Sequence, residues 1–254
     1  MTQPLLEARD LVKRYGGVEA LRGASFTVHP GEVVALIGDN GAGKSTLVKC
    51  LSGVEQPDSG QILVDGEPVS LDSPSAARGH GIETAYQDLA VAPDLDPAAN
   101  LFLGREIRKP GLLGKLGMLD KAAMRTEARE QFAKFGVSLP DLSVPIGALS
   151  GGQRQSVAVA RSVAWANRLV FLDEPTAALG VVQRERVLDV VRRVRDTGIA
   201  VVLISHNMPE VLSVADRVEV LRLGSRVARF KAAEAQLEDL VGAMTGALAQ
   251  EDAD

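Results

Sequence analysis

The stretch GDNGAGKST, Gly38 to Thr46, follows the apolar run EVVALI and leads into TLVKCL. It fits the phosphate-loop pattern G-x-x-x-x-G-K-[ST] in the context that gives the pattern a mechanism: a buried strand turning through a glycine-rich loop into a helix. No other feature constrains the fold as tightly. A strand that feeds directly into a helix belongs to a parallel sheet wrapped by helices, and ligands of such sheets sit beyond the carboxyl ends of the strands. Gly41 and Gly43 let the backbone curl until its N–H groups face a phosphate chain. Lys44 reaches the β and γ oxygens, and Ser45 offers a hydroxyl to Mg²⁺. Gly38, Asn40, Ala42 and Thr46 complete the expected nucleotide cradle.

Two further β-branched runs read as buried strands, LVFLDE (Leu169 to Glu174) and AVVLIS (Ala200 to Ser205), each followed by a helical pattern. The segments LLEARDLVKRY, ASFTVHPGE and QILVDGEPV are turn-bounded and alternating, which predicts an antiparallel sheet beside the parallel one. RVEVLRLGSRVARF reads as a hairpin. Between about Asp88 and Ala160 the pattern changes to helices broken by proline and glycine, as in PDLDPAANLFLGRE, KPGLLGKLG and LDKAAMRTEAREQFAKFG. The expected organisation is one α/β domain over 1–254. Residues 1–87 and 161–254 form its nucleotide-binding core with the β subdomain, and 88–160 form an inserted helical subdomain. The tail AQEDAD is expected to fray.

LVFLDE ends on adjacent carboxylates whose side chains point opposite ways along a strand, so Asp173 and Glu174 must divide the work. Asp173 is assigned to Mg²⁺, and Glu174 to polarising the water that attacks the γ-phosphate. Taken alone, such a pair is also an ordinary acidic strand end. His206 closes AVVLISH at the same edge, where a ring nitrogen can donate to a γ-phosphate; His29 and His80 have no such placement and read as structural. Gln87, in ETAYQDL, lies where a strand hands over to the helical insertion, and its neutral amide can touch metal or water without adding charge. Tyr15, in KRYGG, is either a core-edge aromatic or a face on which adenine stacks. A second glycine-rich stretch, LSGGQ at Leu149 to Gln153, opens the amphipathic run QRQSVAVARSVAW. A helix N-terminus there offers free N–H groups to an anion, yet the stretch carries no lysine.

Composition excludes several classes. A net charge of −5 argues against a nucleic-acid binder, and the five arginines between Gln183 and Gly198 sit opposite Val187, Val191 and Val194 at helical spacing, as on a solvated face. No apolar run approaches the roughly 20 residues of a membrane helix, and MTQPLLEARD has no signal core, so a cytosolic protein is expected. Cys50 stands alone and reads as a small buried hydrophobe.

With these stretches in order, the sequence resembles the ATPase subunit of ATP-binding cassette (ABC) transporters over nearly its whole length. LSGGQ is similar to the family's signature, GDNGAGKST to Walker A, LVFLDE to Walker B with its glutamate, Tyr15 to the aromatic loop, Gln87 to the Q-loop and His206 to the switch histidine. The resemblance implies a homodimer in which Ser150, Gly151, Gly152 and Gln153 of one copy cap the Mg·ATP held by Lys44 of the other. It also implies two membrane permease subunits that hold the chain at the cytoplasmic face, and an extracytoplasmic sugar-binding protein. APDLDPAANLFLGRE, DEPTAALG, ISHNMPEVLSVADRV and VGAMTG are similar to ATPases of bacterial pentose and hexose importers of the single-cassette type. Gly180 departs from the aspartate usual after DEPTAAL. The alternative is a soluble ABC ATPase acting on nucleic acid or ribosomes. A P-loop small-molecule kinase would leave LSGGQ and His206 without a purpose.

Overall fold

The computed structural model describes residues 3–85, 91–139, 141–177 and 179–247. They form two compact units. One comprises Met1–Gln87, Ala166–Pro175 and Val194–Asp254; the other comprises Asp88–Trp165 and Thr176–Arg193.

The first unit is built on β3 (Val33–Ile37), β7 (Leu169–Asp173) and β8 (Ala200–Ile204). These strands are apolar on both faces and therefore need cover on both, as parallel strands between helices have. Side chains of β3 alternate accordingly. Val34 and Leu36 enter a core shared with Leu47 and Leu51 of α1 (Lys44–Leu51), Phe171, Val202 and the antiparallel sheet's Leu6, Leu11 and Phe26. Ala35 and Ile37 enter a second core with Val211, Val218 and Leu240. With β6 (Ile82–Ala85), β9 (Arg217–Arg222) and β10 (Ser225–Lys231) the sheet has the order β10-β9-β3-β8-β7-β6, parallel throughout except for β10 on β9. The expected hairpin is β9–β10.

β1 (Leu6–Tyr15), β2 (Val18–Val28), β4 (Ser59–Val64) and β5 (Glu67–Pro68) form the expected antiparallel sheet, in the order β2-β1-β4-β5. Strand β2 starts earlier than the alternation of ASFTV suggested, because Val18 to Arg22 pair with the far end of β1 across a tight turn at Gly16 and Gly17. Three short or medium helices complete the unit: α2 (Pro74–Gly79), α8 (Met208–Val214) and α9 (Leu237–Thr245). Cys50 is fully buried in the first core. No helix among the described residues is long and apolar enough to cross a membrane. The tail from residue 248 lies outside the described residues.

The second unit is helical: α3 (Pro97–Leu101), α4 (Leu112–Lys115), α5 (Lys121–Lys134), α6 (Gly151–Ala164) and most of α7 (Val181–Asp196). α3 is a short helix because Pro97 starts it, Asp96 caps the Ala99 N–H at 2.7 Å, and Gly104 with φ +79° follows closely. Buried Asn100 ties the preceding loop, accepting from the Ala92 N–H at 2.7 Å and donating to the Ala92 and Leu95 carbonyls. Trp165 donates to the Leu101 carbonyl at 2.9 Å and meets Phe102 edge to face at 5.3 Å. On α7, Val187, Val191 and Val194 are fully buried, Arg186 and Arg193 are exposed, and partly buried Arg184, Arg192 and Arg195 bond to the Leu179 carbonyl, to Glu185 and Asp189, and to Asp196.

Candidate active site

The loop between β3 and α1 closes tightly on its surroundings. At Gly43 the backbone has φ +103°, and a Cβ there would lie 2.6 Å from the Ala20 carbonyl oxygen. At Gly38 a Cβ would fall on the Leu221 carbonyl oxygen. Only glycine lets the loop pass between these carbonyls. The Gly224 N–H pins the loop from outside by donating to the Ala42 carbonyl at 2.9 Å.

Gly43 gives α1 no side-chain cap, so the first-turn N–H groups of Lys44, Ser45 and Thr46 face outward at the positive end of the helix dipole. The Lys44 ammonium donates to the Gly38 carbonyl at 2.6 Å and to the Asp39 carbonyl at 3.0 Å. Burial pulls its pKa below the usual lysine range, against the attraction of Glu174, Asp173 and Asp39. A half-buried cation resting on neutral carbonyls beside uncapped N–H groups suits a polyanion.

Pairing of β7 with β8 puts Asp173 beside Ile204, and the Glu174 N–H donates to the Ile204 carbonyl at 2.9 Å. The ends of these strands thereby become neighbours. Glu174 Oε1 lies 2.8 Å from His206 Nδ1, with Glu174 largely covered at 16% exposure and His206 open at 75%. Glu174 itself has φ +49°, a conformation uncommon outside glycine that turns the chain sharply after Asp173. Burial pushes the Asp173 carboxyl above its ordinary range, the charge of Glu174 adds to that, and Lys44 opposes it. Two carboxylates and one cation thus share a desolvated corner. Added positive charge would relieve it, so Asp173 with the Ser45 hydroxyl suits a divalent cation.

Tyr15 lies at the end of β1 with its ring 42% exposed. Burial first, then the Glu55 carboxylate, pushes its phenol up to about 12. Lys13 Nζ lies 5.6 Å from the ring centroid. Asn40 and Gly41 are exposed at the loop's crest. Gly38 to Thr46, Asp173, Glu174, His206 and Tyr15 all belong to the first unit. Gln87 lies outside the described residues.

The signature stretch belongs to the second unit and has its own geometry. Ser150 is the N-cap of α6: its hydroxyl oxygen accepts from the Gln153 N–H at 3.3 Å, while Gln153 Oε1 accepts from the Ser150 N–H at 3.0 Å. This capping box leaves the N–H of exposed Gly151 and the Ser150 hydroxyl proton for an external anion, with buried Gly152 behind them. A Cβ on Gly152 would sit 2.8 Å from Gln183 Cγ, and one on Gly180 would sit 2.8 Å from Gln183 Oε1. Gln183 therefore lies beside both stretches, a role that no sequence pattern announces.

The family model described as ABC transporter matches residues 21–177. The chain is 51% identical to a fructose import ATP-binding protein of Rhizobium meliloti, over 96% of this chain and 95% of that protein. It is 44% identical to a xylose/arabinose import ATP-binding protein of Sulfolobus acidocaldarius, over 95% and 94%. A ribose import ATP-binding protein of Burkholderia pseudomallei is 42% identical over 96% of this chain, which spans 47% of that longer protein. Among solved structures, the ATP-binding cassette MJ1267 of an ABC transporter superposes with a TM-score of 0.80 at 25% identity, over 96% of this chain and 98% of that one. On the matched family model and these full-length likenesses, the chain belongs to the ABC transporter family, as an ATP-binding cassette.

Proposed function

We propose that this chain is the ATP-hydrolysing subunit of an ABC importer for a monosaccharide, acting as a pair of identical copies at the cytoplasmic face of the membrane. The observation that carries this reading is the 51% identity, along nearly the whole length of both chains, to a fructose import ATP-binding protein. Two permease subunits form the path for the sugar, and an extracytoplasmic binding protein selects it.

In this reading Lys44 leaves the Gly38 and Asp39 carbonyls for the β and γ oxygens of ATP, and the N–H groups of the loop and of α1 close around the same phosphates. Tyr15 lends its exposed ring to adenine. Asp173, the Ser45 hydroxyl and Gln87 would hold Mg²⁺, which would supply positive charge against the phosphates. Glu174 Oε1 takes the proton of the attacking water. His206 Nδ1 fixes that carboxylate, which leaves the opposite ring nitrogen to donate to the γ-phosphate. Such general-base assistance contributes about 10² to 10⁴ in rate. Ser150, Gly151, Gly152 and Gln153 of the second copy meet the γ-phosphate with the hydroxyl and N–H groups that the capping box leaves over. LSGGQ needs no lysine, because the ligand's charge is answered by Lys44 and the metal of the other copy.

Uptake of a panel of labelled pentoses and hexoses tests this. Cells carrying only Glu174→Gln are expected to lose uptake of one sugar, with the wild-type gene restoring it. Unchanged uptake of every sugar in the panel would overturn the assignment.

A further inference from the structure

Within the helical unit, the stretch between Ile107 and Asp120 forms a small closed hairpin around α4. Its stem is fixed by an antiparallel bridge between Arg108 and Leu119, by the Lys109 N–H donating to the Met118 carbonyl at 2.9 Å, and by the Asp120 N–H donating to the Ile107 carbonyl at 2.7 Å. The tip folds back on this stem so closely that a Cβ on Gly114 would fall on the Lys109 carbonyl oxygen. The hairpin is thus a built shape, and it holds its apolar side chains outward. Leu112 is 73% and Leu116 72% exposed, with Leu113 and Met118 exposed beside them.

Large apolar side chains gathered on one small exposed element mark a surface that something else covers. The charge around them identifies what. From Ile107 to Leu119 the chain carries Arg108, Lys109 and Lys115 and no aspartate or glutamate, although the whole protein has a net charge of −5. Within this window the leucines lie among cations alone, with Glu106 and Asp120 at its two ends, and that pairing matches the boundary of an anionic bilayer, where acyl chains receive the apolar tips and lipid phosphates pair with the ammonium and guanidinium groups. A hairpin of about a dozen residues is also small beside the roughly 20 to 30 residues per side of a stable protein interface. We propose that this hairpin is a direct lipid contact, setting Leu112, Leu113 and Leu116 into the headgroup region of an anionic leaflet with Lys109 and Lys115 on its phosphates. The proposal draws on the transport reading only in placing the chain beside a membrane.

Flotation of the full-length chain with vesicles tests it without any permease. Wild-type protein is expected to float with vesicles of phosphatidylglycerol and phosphatidylcholine in equal parts, and to bind about tenfold less to phosphatidylcholine alone or after addition of 0.5 M salt, a level of roughly this order screening surface charge within a few ångströms. Leu112→Asn/Leu116→Asn and Lys109→Ala/Lys115→Ala should each lower partitioning by about tenfold or more while leaving ATP turnover in solution unchanged. Leu112, Lys115 and Leu116 are exposed and Lys109 is partly exposed, so both variants should fold, and their urea midpoints check this. A wild-type chain that stays unbound, or variants that float as it does, would overturn the proposal. Variants that lose permease association while wild-type vesicle binding is absent would assign the face to a protein instead. A chain that floats but does not hydrolyse ATP would count against the transport reading alone.

Discussion

Replacing Gly43 with alanine should cost far more than the same change two residues earlier. Both glycines have positive φ, +80° at Gly41 and +103° at Gly43, so each alanine pays about 1–2 kcal/mol of backbone strain. Both also gain the same small stiffening of the unfolded chain, which cancels in the comparison. The surroundings differ. Nothing lies within 4 Å of a Cβ on Gly41, whereas one on Gly43 meets the Ala20 oxygen at 2.6 Å and Leu21 Cδ2 at 3.1 Å. Ala20 belongs to β2, which is paired to β1 and has little room to yield, so overpacking adds about 1–3 kcal/mol. Gly43→Ala should therefore destabilise the ligand-free protein by about 2–5 kcal/mol and Gly41→Ala by about 1–2 kcal/mol. At roughly 2–4 °C per kcal/mol for a chain of this size, the two melting temperatures should differ by several degrees. Calorimetry of both variants without nucleotide measures the difference directly. Equal melting temperatures, or the larger loss at Gly41, would refute the claim that close approach to β2 fixes the identity of residue 43.

Other consequences follow from the charges and caps. Burial and Glu174 raise the Asp173 pKa in the folded state, so the fold binds the extra proton between the ordinary and the raised value, and stability falls as pH climbs through that window. Asp173→Asn should accordingly give a higher urea midpoint than wild type at pH 7.5 without ligand, with the gap shrinking at pH 4.5, and should abolish Mg²⁺-dependent hydrolysis. Ser150→Ala should cost about 1 kcal/mol through loss of the α6 cap; Ser150→Asp should keep the cap but place a carboxylate where an anion is expected, leaving the melting temperature near wild type while hydrolysis is lost. His206→Ala removes an exposed side chain, so stability should change by less than about 0.5 kcal/mol while kcat falls by about 10² through the released Glu174.

Much of this was legible in the residues themselves. Walker A, the strand runs of β3, β7 and β8 and the alternating N-terminal segments are local patterns, and each lies where the pattern predicts. What the sequence withheld is the order of strands and whatever depends on it. Glu174 and His206 are 32 positions apart, and their mutual bond needs β7 beside β8, which neither segment specifies. The same holds for Gln183 between Gly152 and Gly180, since a lone glutamine in an arginine-rich helix carries no signal. KPGLLGKLG read as a broken helix, and only its folded hairpin shows that the leucines face outward. Four-residue α4 is bounded by glycines 111 and 117, both at positive φ, which confine the helix to its tip.

The pairing of Walker A with LSGGQ across two copies is the claim on which the account turns. Light scattering of Glu174→Gln, with and without Mg·ATP, measures it most directly. Mg·ATP should double the mass from 26.8 kDa, and adding Ser150→Arg should abolish the doubling. A mass that stays at the single-chain value in saturating Mg·ATP, or a doubling that survives Ser150→Arg, would contradict it.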